Sequence, residues 1–196
     1  MVVFQVPAGM PEHNRLANLI GNYLEPRLAR ELVVLYDPYC YITHEMLERL
    51  GHFKSGDPHE YMQKRLLEFG AAPSFIAETI AQRLKEGIMI STYAPDVYVA
   101  HETDLNNRFR IPFWIGEIIS KDTRDYDLYF KAYLYERLGV KEYFVFATGR
   151  RLGKLVRVYR LESEGGAFAQ YQEIPFDSPA ARSEVLGVDV PVEWTV

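Results

Sequence analysis

The chain has 196 residues, 48 % of them hydrophobic and 25 % charged, an ordinary composition for one domain with a real core. Its formal net charge of −5 excludes a protein that coats nucleic acid by charge alone, though not one with a local basic cleft. Cys40 is the only cysteine, so an intramolecular disulfide and a cysteine-based metal cluster are both excluded, and a reducing cytoplasm is the expected compartment. The opening MVVFQVPAG lacks a basic region followed by an apolar segment. No run approaches the roughly 18 apolar residues of a membrane helix, so neither export nor membrane insertion is expected.

In chain order, Leu16, Leu19, Ile20, Tyr23, Leu24 and Leu28 recur at three- and four-residue spacing. They predict an amphipathic helix from Pro11 to about Arg30, interrupted near Pro26. ELVVLY (31–36) reads as a strand ended by Asp37-Pro38. Thr43, Asp57-Pro58 and Pro73-Ser74 open three short helices, and Gly51, Gly70 and Gly87 close them. Beyond Gly87 the period changes, and IMIS, DVYVA and RIPFWIGEII read as strands separated by the polar HETDLNNR. A helix from about Thr123, capped by Ser120 or Asp122, runs to Gly139. EYFVFA then reads as a strand buried on both faces. KLVRVYRLES and AFAQYQEI flank Glu164-Gly165-Gly166 as a hairpin. The proline-containing tail is expected to wrap irregularly and to finish in a short strand over Val192 to Val196. The expected whole is a single α/β domain over 1–196 with a mixed sheet: a mostly helical part (1–87), a core (88–147), and a hairpin with a C-terminal extension (148–196).

Chemistry concentrates between Pro95 and Phe146. Asp96 opens one strand and Glu117 lies near the end of the next, so antiparallel neighbours would bring the two carboxylates together. As bare anions they raise each other's pKa; a divalent cation such as Mg²⁺ or Mn²⁺ would hold both ionised. The plain alternative for Asp96 is a turn residue after proline. For Glu117, which interrupts FWIGEII, it is an ion pair with a nearby arginine. Asp127 and Lys131 are four apart on the helix, the spacing of an ordinary surface pair. Leu128, Leu134 and Tyr135 surround the lysine stem, however, and an inward-facing lysine could reach the cleft of Asp96 and Glu117. The five histidines form no metal pattern, and TGRRLGKL lacks the glycine and the Ser/Thr of a phosphate loop. Arg150, Arg151, Lys154, Arg157 and Arg160 are expected to form a solvated basic strip, with a nucleic-acid backbone track as the sharper alternative.

PDVYVA and FWIGEIISKDTRDYDLYFKAYLYERLGVKEYFVF together resemble the Uma-two family of bacterial proteins, often labelled restriction endonucleases, within the PD-(D/E)XK nuclease superfamily. The resemblance rests on Pro95-Asp96, Glu117 with Ser120 and Thr123, Asp127, Lys131, Tyr135, Gly139-Val140 and Glu142-Tyr143. It implies a restriction-endonuclease-like αβββαβ core and a Mg²⁺-dependent endonuclease acting on DNA. Asp96, Glu117 and the Ile118 carbonyl would hold the metal (Mn²⁺ being an alternative), and in-line attack of a water would leave a 5′-phosphate. The superfamily lysine normally stands two residues beyond the glutamate, where this chain has Ile119. The resemblance favours Lys131 in its place over Lys121, with Glu12 or Glu31 as a further candidate acid. A homodimer is expected, since two symmetric sites most simply cut two strands. The rival readings are a catalytically inactive nuclease-fold binding or assembly module, and a hydrolase of smaller phosphoesters.

Overall fold

The protein is described by a computed structural model that covers residues 11–36, 40–42, 58–86, 91–93, 95–104, 111–119, 123–147, 155–162, 166–169, 171–175 and 178–192. Helix α1 (Pro11–Leu24) is followed by strand β1 (Leu32–Tyr36), β2 (Cys40–Ile42), α2 (Pro58–Glu68), α3 (Pro73–Glu86), β3 (Ser91–Tyr93), β4 (Val97–His101) and β5 (Trp114–Ile119). Helix α4 follows, π-helical over Tyr126–Lys131 and α-helical over Ala132–Leu138. Strands β6 (Glu142–Ala147), β7 (Leu155–Arg160), β8 (Gln172–Pro175), β9 (Ala180–Ser183) and β10 (Val188–Pro191) complete the chain. The expected helix over 44–50 and the cap at Ser120 or Asp122 lie outside the described residues.

The main sheet has the order β1-β4-β5-β6-β7-β8. β1, β4 and β5 form an antiparallel meander, α4 crosses over, and β6 returns parallel to β5 before β7 and β8 add on antiparallel. The succession α1, β1, β4, β5, α4, β6 is the expected αβββαβ core. β6 is buried along its whole length, as a strand with neighbours on both sides and helices on both faces must be. β2 and β3 pair separately.

Alternation sorts the side chains of the sheet into two cores. Tyr98, Ile115, Tyr143, Val145 and Tyr159 meet α2, α3 and α4, while Val99, Trp114, Phe144, Phe146 and Val158 meet Leu16, Ile20 and Leu24 of α1. Gly116 belongs to the α1 face, where a Cβ would lie 2.8 Å from the Trp114 indole; its lack of a side chain lets that ring lie across β5. Two buried carboxylates fasten the periphery. Glu136 of α4 receives Arg65 Nη2 at 2.5 Å, Tyr61 Oη at 3.0 Å and the Phe168 amide at 2.8 Å, which ties α4 to α2 and to the segment between β7 and β8. Glu142 receives Ser183 Oγ at 2.5 Å and the Glu184 amide at 2.8 Å, which anchors the β9–β10 ribbon.

The interruption expected near Pro26 is present: the α-helix ends at Leu24 and passes into a 3₁₀ turn over Glu25–Arg27, because Pro26 has no amide proton to continue the ladder. Two other expectations change. The tail is not an irregular wrap: Ala180–Ser183 and Val188–Pro191 pair antiparallel, with Gly187 in the turn at φ 67°. Its expected final strand lies, beyond Val192, outside the described residues. Nor do the β7 arginines share a solvated strip, because residues three apart on a strand point to opposite faces. Arg157 is buried, donating to Glu173 at 2.6 Å and stacked over Tyr171, whereas Arg160 bonds Glu142 and Gln172. Arg150, Arg151 and Lys154 lie outside the described residues.

Candidate active site: two carboxylates and a helix-borne lysine

The β4–β5 ladder pairs Val97 with Gly116, so one step further along it Asp96 stands abreast of Glu117. Opposed residues of an antiparallel pair share a face, here the face covered by α4, where Ile115 and Ile119 also point. Pro95 and Asp96 lead into β4, with a bend at Asp96, and Asp96 Oδ2 accepts the Ile118 amide proton at 2.7 Å. This charge-assisted bond draws the Ile118 main chain to the carboxylate.

Lys131 reaches down from α4 to this point. Its ammonium lies 2.8 Å from Glu117 Oε1 and 2.9 Å from Asp127 Oδ1, with the lysine side chain only 15 % exposed. Asp127 Oδ2 accepts the Thr123 hydroxyl. Tyr135, a turn beyond Lys131, donates to the same Glu117 Oε1 at 2.7 Å. The π-helical turn that carries Asp127 and Lys131 is held from below: Tyr143 Oη donates to the Asp127 carbonyl at 2.8 Å and Tyr159 Oη to the Leu128 carbonyl at 2.6 Å. Local π geometry frees main-chain carbonyls from the regular ladder, and two sheet tyrosines take them up.

The pocket has an excess of negative charge. Ionised together, Asp96, Glu117 and Asp127 outnumber the single ammonium by two charges. The lysine is held charged, its pKa pushed up by the two carboxylates beside it against the effect of burial. Glu117 takes up the strain. Burial, with the charges of Asp96 and Asp127, outweighs the attraction of Lys131 and pushes its pKa up to about 8.

Among the described residues no three His, Cys, Asp or Glu side chains gather as a metal cage. That donor set does not suit zinc or calcium, but it suits Mg²⁺, which takes one or two carboxylates and fills its remaining positions with water and substrate phosphate. Glu117 Oε1 is occupied by Lys131 and Tyr135, and Oε2 accepts no hydrogen bond among the described residues. The two surplus charges match a divalent cation.

The residues singled out in the sequence therefore come together: Asp96, Glu117, the Ile118 main chain and Lys131. Lys121 lies outside the described residues. Glu31 does not belong, since Leu32 pairs with His101 at the end of β4 far from Asp96, roughly 17 Å away at the rise of a strand. Glu12 sits in the first turn of α1, a helix packed on the opposite face of the sheet. Ile119 is buried in the α4-side core rather than available to the site. Tyr135 and Thr123 went unread as hydrogen-bonding members of the site. The signal for Tyr135 was its spacing, four residues beyond Lys131 as Lys131 is four beyond Asp127.

An αβββαβ core with acids abreast on neighbouring strands and a lysine from the crossover helix defines a restriction-endonuclease-like protein. Residues 80–194, more than half of the chain, match the Uma2 family, described as "Putative restriction endonuclease", and the chain belongs to that family. No curated protein matches it. Among the described residues no helix is long and apolar enough to cross a membrane.

Proposed function

We propose that this Uma2 protein is a divalent-metal-dependent endonuclease that hydrolyses DNA phosphodiester bonds, with Asp96, Glu117 and Lys131 as its catalytic residues. The observation that carries the reading is the convergence of these three groups, from two strands and one helix, in one pocket. Asp96, Glu117 and the Ile118 carbonyl would hold Mg²⁺ or Mn²⁺, which when bound supplies a more acidic water and a Lewis acid for the phosphoryl oxygens. Asp96 and Glu117 orient the attacking oxygen. Lys131, charged and 2.8 Å from Glu117, sits where it can hold that oxygen in line and offset charge gathering on the phosphate. The buried wall of Ile119, Tyr135 and Tyr143 keeps the dielectric low and strengthens each of these interactions. The working form in this reading is a cytoplasmic homodimer with one site per strand.

The test is plasmid nicking with Mg²⁺ or Mn²⁺, scored as conversion of supercoiled to open-circular and linear DNA. Asp96→Asn, Glu117→Gln and Lys131→Ala are each expected to abolish it while the protein stays folded. Nicking that survives Asp96→Asn and Glu117→Gln would defeat the assignment. One observation favours a second reading, a non-catalytic binding module: the position two beyond Glu117 is a buried isoleucine, and Lys131 is already bonded to two carboxylates. Calorimetry separates the two, since a folded protein that binds no Mn²⁺ fits only the module.

A further inference from the structure

Asp127, Lys131 and Tyr135 follow one another at intervals of four along α4, so one face of the helix presents an acid, an amine and a phenol in succession. The middle and last members both act on the same atom, Glu117 Oε1, at 2.8 and 2.7 Å. A carboxylate held by the ammonium alone keeps rotational freedom, because a lysine is a point charge on a flexible stem. A second donor from a rigid ring removes that freedom. The ring of Tyr135 is itself fixed: it is fully buried and meets Tyr143 edge-on, with centroids 4.8 Å apart and planes at 76°. Tyr143 in turn bonds the Asp127 carbonyl, so the two tyrosines and the π turn form one braced unit.

We infer that Tyr135 is a positioning residue: its hydroxyl locks Glu117 Oε1 and thereby presents Oε2 to the metal, an assignment that rests on the proposed metal-dependent reading of this site. Tyr135 touches neither substrate nor metal. It acts through Glu117, as donors outside a metal's ligand shell do when they orient a ligating carboxylate.

The experiment compares the full-length wild type, Tyr135→Phe and Tyr133→Phe by calorimetric titration with Mn²⁺, with the melting temperature of each taken in parallel. Tyr133 is a matched control. It is equally buried on the same helix, but its ring faces Phe130 and Tyr61 instead of the site. Tyr135→Phe is expected to weaken Mn²⁺ binding about 10- to 100-fold, the usual effect of losing such a donor, while Tyr133→Phe stays within about twofold of the wild type, an allowance below that same range. A purely structural tyrosine would lower the melting temperature and leave Mn²⁺ affinity alone; that result overturns the inference and spares the functional reading. Equal weakening by both substitutions also overturns it, because the effect would then not pass through Glu117. A folded wild type with no Mn²⁺ affinity overturns the functional reading and this inference with it.

Discussion

Replacing Glu117 by glutamine should remove activity and at the same time make the metal-free protein more stable at alkaline pH. The reasoning starts from burial: the side chain is 2 % exposed, and its pKa rises from 4.5 in the unfolded chain to about 8 in the folded one. A raised carboxyl pKa means that the folded state binds the proton more tightly, so its stabilising contribution is complete below about pH 4.5. That contribution is lost as the pH rises through about 8. At ~1.36 kcal/mol per pKa unit, the wild type loses on the order of 4 kcal/mol across this window. Glutamine mimics the protonated acid at every pH and should lose none of it. Thermal melts of metal-free protein from pH 5 to pH 9 provide the assay. The two proteins should melt together near pH 5, and glutamine should gain about 8–16 °C by pH 8.5, at roughly 2–4 °C per kcal/mol for a domain of this size. Saturating Mg²⁺ at pH 8.5 should close the gap by stabilising the wild type alone. Should Glu117→Gln melt at or below the wild type at pH 8.5, the carboxyl pKa is not raised by folding, Lys131 outweighs burial, and the electrostatic reasoning is wrong.

Two further outcomes follow from the same geometry. Lys131→Met should bind Mn²⁺ at least as tightly as the wild type, because the ammonium repels the incoming cation, yet nick plasmid at least ~100-fold more slowly; parallel loss of binding and nicking would instead make the lysine a structural support. Arg65→Met leaves Glu136 buried without its cation and should cost about 3–5 kcal/mol in urea unfolding. The double change Arg65→Met with Glu136→Leu should recover most of that, and failure to recover would mean that the pair is not the element joining α2 to α4.

The αβββαβ order was legible because its elements carry distinct periods. α1 places Leu16, Ile20 and Leu24 on one stripe, and β6 is the continuous apolar EYFVFA of a doubly covered strand. The convergence of Asp96 and Glu117 was legible for a related reason, since strands joined by a short connection pair antiparallel and bring a start beside an end. What stayed hidden depended on tertiary contact. Ala180–Ser183 has no strand propensity of its own and becomes a strand because Ala181 and Val190 are buried against the α1-side core and Ser183 is bonded to Glu142. Arg157 reads as one more surface charge until Tyr171 and Glu173 close over it. Tyr135 and Tyr143 look like apolar filling because a phenol carries both a hydrophobic ring and a donor, and only the fold decides which is used.

The most direct measurement is a crystal structure of the protein grown with Mn²⁺, with anomalous scattering recorded to locate the ion. The account predicts a single peak between the carboxylates of Asp96 and Glu117, within about 2.0–2.3 Å of an oxygen from each at the usual oxygen–divalent distances, with the Lys131 ammonium alongside. A peak elsewhere, or none beside a well-ordered Asp96 and Glu117 at saturating Mn²⁺, would contradict it.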